Sequence, residues 1–263
     1  MLYFQKLEHS EDEKDMKQEI LCVMCFYNEE KNLASCIRHL APFVDGFVLL
    51  DDASTDKSAE IASRTPRLRR LIRNESKDSW RERTNRERVL RAALECAETE
   101  EPWVLCVDAD ERFETRFLKD LPKITAARAG EGKVLHLHTR ELWGDIHHYR
   151  SDGIWNGKLK GCLFQLSKEM TFDYEQEHHI PWAYREIAHS QEVLDYNFYH
   201  LKMVHEADRK GRVKLYNTLD PEHRMQAIGY DYLADPTGLL RTRIPFSHRY
   251  RTRFVPKYYK RKK

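Results

Sequence analysis

The chain is poor in residues that staple, hinge or anchor a fold: 6 Cys, 10 Gly and 9 Pro among 263 residues. The cysteines are irregularly spaced and make no disulfide framework, so a reducing, cytoplasmic compartment is expected. No apolar run approaches the ~18 residues that a membrane-spanning helix requires. The opening MLYFQKLEHSEDEKD has no basic stretch followed by an apolar one, which argues against a signal peptide. Its LYFQ resembles the end of a protease-cleavage tag, so residues 1–7 are given no weight.

What the chain has is charge, at 33% of residues, beside 41% hydrophobic residues and a net charge of only +2. That near-neutrality hides an asymmetry. Residues 239–263 carry ten Lys and Arg and no acid, which leaves −8 to residues 1–238. A basic segment set with Phe246, Tyr250, Phe254, Tyr258 and Tyr259 suits a polyanion such as an anionic membrane surface; the plainer reading is a solubilising tail.

Residues 1–19 read as a charged leader. Ile20–Phe26 and Gly46–Leu50 are continuous apolar runs, as expected of strands buried on both faces, and Trp103–Val107 is a third. Between them lie helical patterns: Leu33, Ile37 and Leu40 before Pro42, a helix through Ala62 with Ser54 or Thr55 as N-cap, and residues 79–99. Leu68–Ile72 reads as a short strand. This alternation predicts an α/β, doubly wound, mostly parallel sheet. The three strong strands run into Tyr27-Asn28-Glu29-Glu30, Asp51-Asp52-Ala53-Ser54-Thr55-Asp56 and Asp108-Ala109-Asp110-Glu111. Ligands of open α/β sheets bind outside the carboxyl ends of strands, so these acids are expected to share one crevice. On an extended strand Asp108 and Asp110 would face the same way and could hold a divalent ion. Asp51 or Asp52 could accept from a nucleobase or ribose, or cap a helix. With no G-x-G-x-x-G or Walker lysine motif, a bound diphosphate would rely on metal and arginines.

Three acidic motifs in this order and spacing over residues 20–115 resemble family 2 glycosyltransferases of the GT-A (Rossmann-like) fold. The resemblance implies an inverting, Mn²⁺- or Mg²⁺-dependent transfer from a nucleotide-diphospho-sugar, with UDP-sugar the leading guess, to a glycan or lipid-linked saccharide. It implies that Cys25, Tyr27 and Glu29 line the nucleoside pocket, that Asp52 contacts the base, and that Asp108 lies near the ribose or metal. Asp110 would ligate the metal, and Arg83 and Arg86 would touch the nucleotide or lie on a solvated helix face. Residues 116–238 would form the acceptor-binding half, resembling the branch that builds lipopolysaccharide cores and related glycans. There Glu177 is the first candidate for the base that deprotonates the acceptor, with Glu175 and Asp173 behind it, and His200 would complete the metal site. Val134–Leu137 and Cys162–Leu166 read as strands, and His200–Leu219 and Asp220–Leu233 as helices.

Weaker signals complete the reading. Cys22 and Cys25, three apart in a strand, face opposite sides and cannot pinch a zinc ion. His147-His148 suits a surface or acceptor pocket, and Trp143, Trp155 and Trp182 suit sugar stacking or core packing equally. No nucleic-acid partner is expected, and the enzyme could sit peripherally on the inner membrane face. Two alternatives remain: a sugar-1-phosphate nucleotidyltransferase, which needs a glycine-rich loop that is missing here, and a non-catalytic polyanion- or membrane-binding module. Deleting residues 239–263 should abolish the function of the module and spare a transferase's donor chemistry.

Overall fold

The computed structural model describes residues 18–77, 82–172, 181–224 and 226–260. Strands β1 (Ile20–Phe26), β2 (Gly46–Asp51), β3 (Leu68–Arg73) and β4 (Trp103–Cys106) alternate with helices α1 (Leu33–Leu40), α2 (Ser58–Ser63) and α3 (Glu82–Glu95). They pair in parallel as β3-β2-β1-β4. After β5 (Glu111–Phe113) and α4 (Thr115–Ala126) come β6 (Val134–Glu141), β7 (His148–Arg150), β8 (Leu159–Gln165) and β9 (Gln191–His200). The full sheet runs β3-β2-β1-β4-β8-β6-β9-β5, with β8 and β5 antiparallel to their neighbours. Helix α5 (Glu206–Leu219), strand β10 (Arg241–Arg243) and a last helical turn α6 (Lys257–Lys260) close the chain, β10 pairing only with β7. This is the mixed α/β, mostly parallel architecture expected of the GT-A fold.

The apolar runs explain why β1, β2 and β4 are central. Cys22, Met24, Phe47, Leu49 and Leu105 face a layer built from α1 and α4. Their neighbours Leu21, Val23, Val48 and Val104 face the Val89, Leu90 and Ala93 stripe of α3. Alternate residues thus enter opposite cores, and the sheet is dry on both faces. Cys22 and Cys25, both on β1, are free thiols, like the other four cysteines.

Three expectations change. Helix α5 starts at Glu206 and not at His200, because β9 runs through His200 and a short 3₁₀ turn, Leu201–Met203, intervenes. Asp220–Leu233 forms no helix before a 3₁₀ turn at Asp231–Leu233. Pro221 comes two residues after the end of α5, and the Asp220 carboxylate accepts from Arg224 N–H and the Tyr230 hydroxyl, which fixes a loop instead. Ser54 and Thr55 do not cap α2: Asp56 accepts from Ser58 N–H at 2.8 Å, whereas Ser54 Oγ accepts from Asn28 N–H.

The basic segment from residue 239 is folded onto the body as far as Lys260. Ile244, Tyr250, Val255 and Tyr259 are buried with Leu142, Tyr199 and Val204. Its aromatic residues therefore divide, with Tyr250 and Tyr259 in the core and Phe246 83% exposed. Deletion of residues 239–263 would strip a core cluster, so it cannot separate a transferase from a binding module.

Candidate active site

The crevice lies where the parallel strands end. Asn28, at φ 52°, turns the chain after β1, and its side-chain carbonyl accepts from the Thr55 and Asp56 amides. Asparagine tolerates this left-handed conformation better than most residues. The loops after β1 and β2 are thereby stitched together. Asp51, fully buried, accepts from Ser54 N–H at 2.9 Å and is structural. Asp52 points the other way and receives Asn74 Nδ2 at 2.6 Å and the Lys77 ammonium. Lys77 also lies over the Tyr27 ring, 5.2 Å from its centroid. Tyr27, Asp52, Asn74 and Lys77 thus form one polar cluster with an aromatic ring at its side. Cys25 is only partly buried at the end of β1, and burial pushes its thiol up. Glu29 is buried, paired with Lys202 and hydrogen-bonded by Asn32 at 2.9 Å, so it braces the loop.

After β4 the chain leaves the extended conformation. The strand stops at Cys106, and Asp108–Glu111 is a turn in which Glu111 N–H donates to Asp108 O at 3.0 Å. Asp108 and Asp110 therefore do not share one side of a strand, as an extended backbone would require. Asp108, 45% exposed at its side chain, pairs with Lys160 at 3.0 Å, and Lys160 reaches Glu111 at 2.6 Å. Asp110 is buried and faces His200, with Nε2 at 2.5 Å from Oδ2. The two form a close, buried ion pair. On its other ring nitrogen, Nδ1, His200 meets Glu141 at 2.9 Å. Arg212 from α5 stands 3.3 Å from Nε2.

The charges are strongly interdependent. Burial opposes ionisation of Asp110, but His200 and Lys202 outweigh it and hold the carboxyl well below its usual range. Burial likewise disfavours a charged His200, yet Asp110 and Glu141 push it up to about 10. Glu111 is raised to about 7 by burial, against the pull of Lys160. Against the desolvation of the cleft, Lys160 holds Asp108 below its usual value.

A buried guanidinium holds the turn in place. Arg112 donates to Ala109 O and Glu111 O, to Ser35 Oγ, and through Nε to Phe254 O at 3.0 Å. The basic C-terminal segment is thus part of the scaffold under the acidic turn.

The crevice has a volume near 510 Å³, and Asp108, Glu111, Glu141, Lys160, His200 and Arg86 line it. Arg86 stacks over Trp182, 4.7 Å from its ring, and pairs with Glu82. Arg83 lies one position into the same helix, α3, and does not line this cavity. Trp143 and Trp155 are buried against each other at 5.7 Å and are core residues. Glu177, Glu175 and Asp173 lie outside the described residues. Glu141, Lys160, Arg212 and Arg112 were not anticipated, since each sits in an unremarkable stretch and acquires its role through pairing across the sheet.

The residues fit a divalent ion only in part. Among the described residues no cluster of three His, Cys, Asp or Glu side chains could hold a metal. Asp110 and His200 do supply one carboxylate and one imidazole side by side, and a Mg²⁺-type ion takes its remaining ligands from substrate phosphates.

Residues 21–128 match the model of glycosyl transferase family 2. This segment belongs to that family. Uncharacterized proteins of Mycobacterium bovis and Mycobacterium tuberculosis are each 26% identical to the chain over 238 residues. Those alignments cover 84% of this chain but 57% of theirs, so it spans little more than half the length of these relatives. Among solved structures, a glucosyl-3-phosphoglycerate synthase from Mycobacterium tuberculosis, in complex with Mn²⁺ and UDP-glucose, is 19% identical. It aligns over 47% of this chain and 44% of its own, with a TM-score of 0.31. A 4-diphosphocytidyl-2C-methyl-D-erythritol synthase is 18% identical over 57% of this chain and 76% of its own, with a TM-score of 0.38. Likeness of that degree carries no weight beside the strand order and the family match.

Proposed function

We propose that this protein transfers a glycosyl group, with inversion, from a nucleotide-diphospho-sugar to a hydroxyl of a glycan or lipid-linked saccharide. The observation that carries the reading is the crevice at the parallel strand ends, lined by Asp108 and by His200, with the buried Asp110 paired to His200 beneath it. The cluster of Tyr27, Asp52 and Asn74 suits a nucleobase, which offers a π-face to the ring and an N–H to the carboxylate. UDP is the leading donor nucleotide.

Asp110 and His200 would hold a Mn²⁺ or Mg²⁺ ion, with Asp108 next to it; the ion would offset charge on the departing diphosphate. Glu141 fixes the His200 ring from its far side, as carboxylates do behind metal-binding histidines. Lys160 and Arg86 add positive charge to the same cavity. Glu177 takes the acceptor proton as its oxygen attacks from the face opposite the diphosphate, with Glu175 and Asp173 as the other candidates. The exposed basic face around Phe246 would rest on an anionic membrane, where lipid-linked acceptors reside. Among the described residues no helix is long and apolar enough to cross a membrane.

The test is a panel of nucleotide-sugars with Mn²⁺, read as thermal stabilisation and donor hydrolysis, since bound ligand raises apparent stability by mass action. One donor should stand out in both readouts. A protein indifferent to every nucleotide-sugar would overturn the reading.

A further inference from the structure

A second cavity, near 440 Å³, lies away from the acidic crevice and shares no lining residue with it. His147 and His148, Arg243 of β10 and Arg249 supply its polar wall, and Ile244 and Tyr250 its apolar one. Among the described residues no carboxylate lines it. The antiparallel β7–β10 ladder fixes two of these side chains in register, with Arg243 opposite His148. Asp145, the nearest acid to the pair, accepts from His148 N–H and faces His148 Nδ1 at 2.9 Å and Arg241 at 2.5 Å. Its charge therefore orients the wall without neutralising Arg243 or Arg249.

Several arginines elsewhere, Arg69, Arg70, Arg116, Arg128 and Arg150, each meet a carboxylate within 3.0 Å, and the buried Arg112 and Arg209 donate to backbone carbonyls. Arg243 and Arg249 form no ion pair among the described residues. Arg249 is held by stacking on Phe246, 4.8 Å from the ring, and its backbone carbonyl accepts from Thr115 N–H. Two exposed guanidinium groups at one concavity, with two histidines in the same lining and no acid among its described residues, make a receptor for a compact oxyanion. The volume lies in the range of small-molecule pockets and exceeds what a bare phosphate needs.

We propose that this cavity binds a phosphate ester, the phosphate seated between Arg243 and Arg249 with His147 and His148, and its organic substituent against Ile244 and Tyr250. The ester could be carried by a soluble sugar phosphate or by a lipid headgroup. The site brings together two features that the acidic crevice does not use, the His147-His148 pair and the basic C-terminal segment.

The experiment reads the His147 and His148 side-chain NMR signals of the whole protein at fixed pH. The titrants are inorganic phosphate, glucose 6-phosphate and glucose. A parallel arm sediments the protein with phosphatidylcholine vesicles, with and without phosphatidic acid. Saturable shifts with the two phosphates and none with glucose are expected. Arg243→Gln/Arg249→Gln should weaken binding at least ~10-fold, through loss of two charge-assisted contacts, whereas Arg253→Gln, outside the cavity, should not. Arg249→Gln alone should fall between them, and unliganded melting temperatures check that the variants fold. Glucose 6-phosphate binding without selective sedimentation assigns the site to soluble esters. Sedimentation with phosphatidic acid, abolished by the double substitution, assigns it to lipid. Equal behaviour of the wild type and the double variant in both arms would refute the site, whatever the donor chemistry proves to be.

Discussion

The two halves of the candidate site are made differently. The family-matched half presents its acids at strand ends: Glu29 after β1, Asp52 after β2, Asp108 and Asp110 after β4. The half beyond residue 128 answers with cations and braces from scattered places: Lys160 on β8, Glu141 on β6, His200 on β9, Lys202 just after it and Arg212 on α5. Acids at the ends of adjacent parallel strands need only the sheet to bring them together. Their partners need the sheet to be extended by β8, β6 and β9 in that order. The difference separates what the fold class guarantees from what this chain adds to it.

The largest expected effect of breaking that arrangement comes from the acidic side. Asp110→Asn keeps the volume and the hydrogen-bonding capacity but removes the charge facing His200. Transfer should fall by about 10³-fold, in the upper part of the range for losing one electrostatic stabiliser, with the fold retained. Near-wild-type turnover at saturating donor and metal would remove Asp110 from the metal-binding role. Next comes the acceptor side, where Glu177→Gln should slow transfer ~100-fold at little cost to donor affinity. A dead Glu175→Gln or Asp173→Asn beside an active Glu177→Gln would move the base without moving the site. Third is Glu141→Gln, which leaves Asp110 and His200 in place but loosens the imidazole from behind. Mn²⁺ affinity should drop by about 10-fold, with turnover recovered at high metal. A loss that no amount of metal restores would mean that Glu141 does more than orient His200.

The contrast also marks what could be read in the sequence. Strands β1, β2 and β4 are continuous apolar runs because both faces are covered, and such runs announce themselves. Strand β9 has only one well-covered stretch: Gln191, Val193 and Asp195 are exposed, and only Asn197–Tyr199 is buried as a run. Its sequence, QEVLDYNFYH, alternates only over Leu194, Tyr196 and Phe198, the residues that pack on the core, and this short stretch is flanked by polar positions that hide it. Strands β5, β7 and β10 have three residues each, too few for any period to show. His200 was reachable by motif; Lys160 was not, because its role arises from the antiparallel pairing of β4 with β8. Arg112 looked like one more charge in a charged chain, yet it is fully buried and spends its donors on carbonyl and hydroxyl oxygens.

The smallest expected effect concerns stability and tests the packing inside the family-matched half. His39 on α1 is fully buried, and its Nε2 accepts from Phe113 N–H at 3.0 Å. Desolvation, reinforced by the nearby positive charges of Arg112 and Arg251, holds its imidazole well below the ordinary histidine value of 6.5. In the unfolded chain the same ring titrates near its ordinary value. Below pH 6.5, therefore, the unfolded state binds a proton that the folded state refuses, and stability falls as pH falls. A pH unit or more above 6.5 neither state is protonated at this ring, and the contribution is flat. Glu111, raised to about 7 in the folded protein, pulls the opposite way over part of the same interval. The informative quantity is accordingly a difference between two proteins. His39→Gln offers a neutral acceptor to Phe113 N–H and cannot take up the proton. Between pH 6.5 and 5.5 the wild type should lose up to about 1 kcal/mol relative to this variant, a relative shift of about 2–4 °C in melting temperature. Parallel melting curves across that interval would show that His39 accepts a proton in the folded state, and that the seam between α1 and β5 is wetter than its burial indicates.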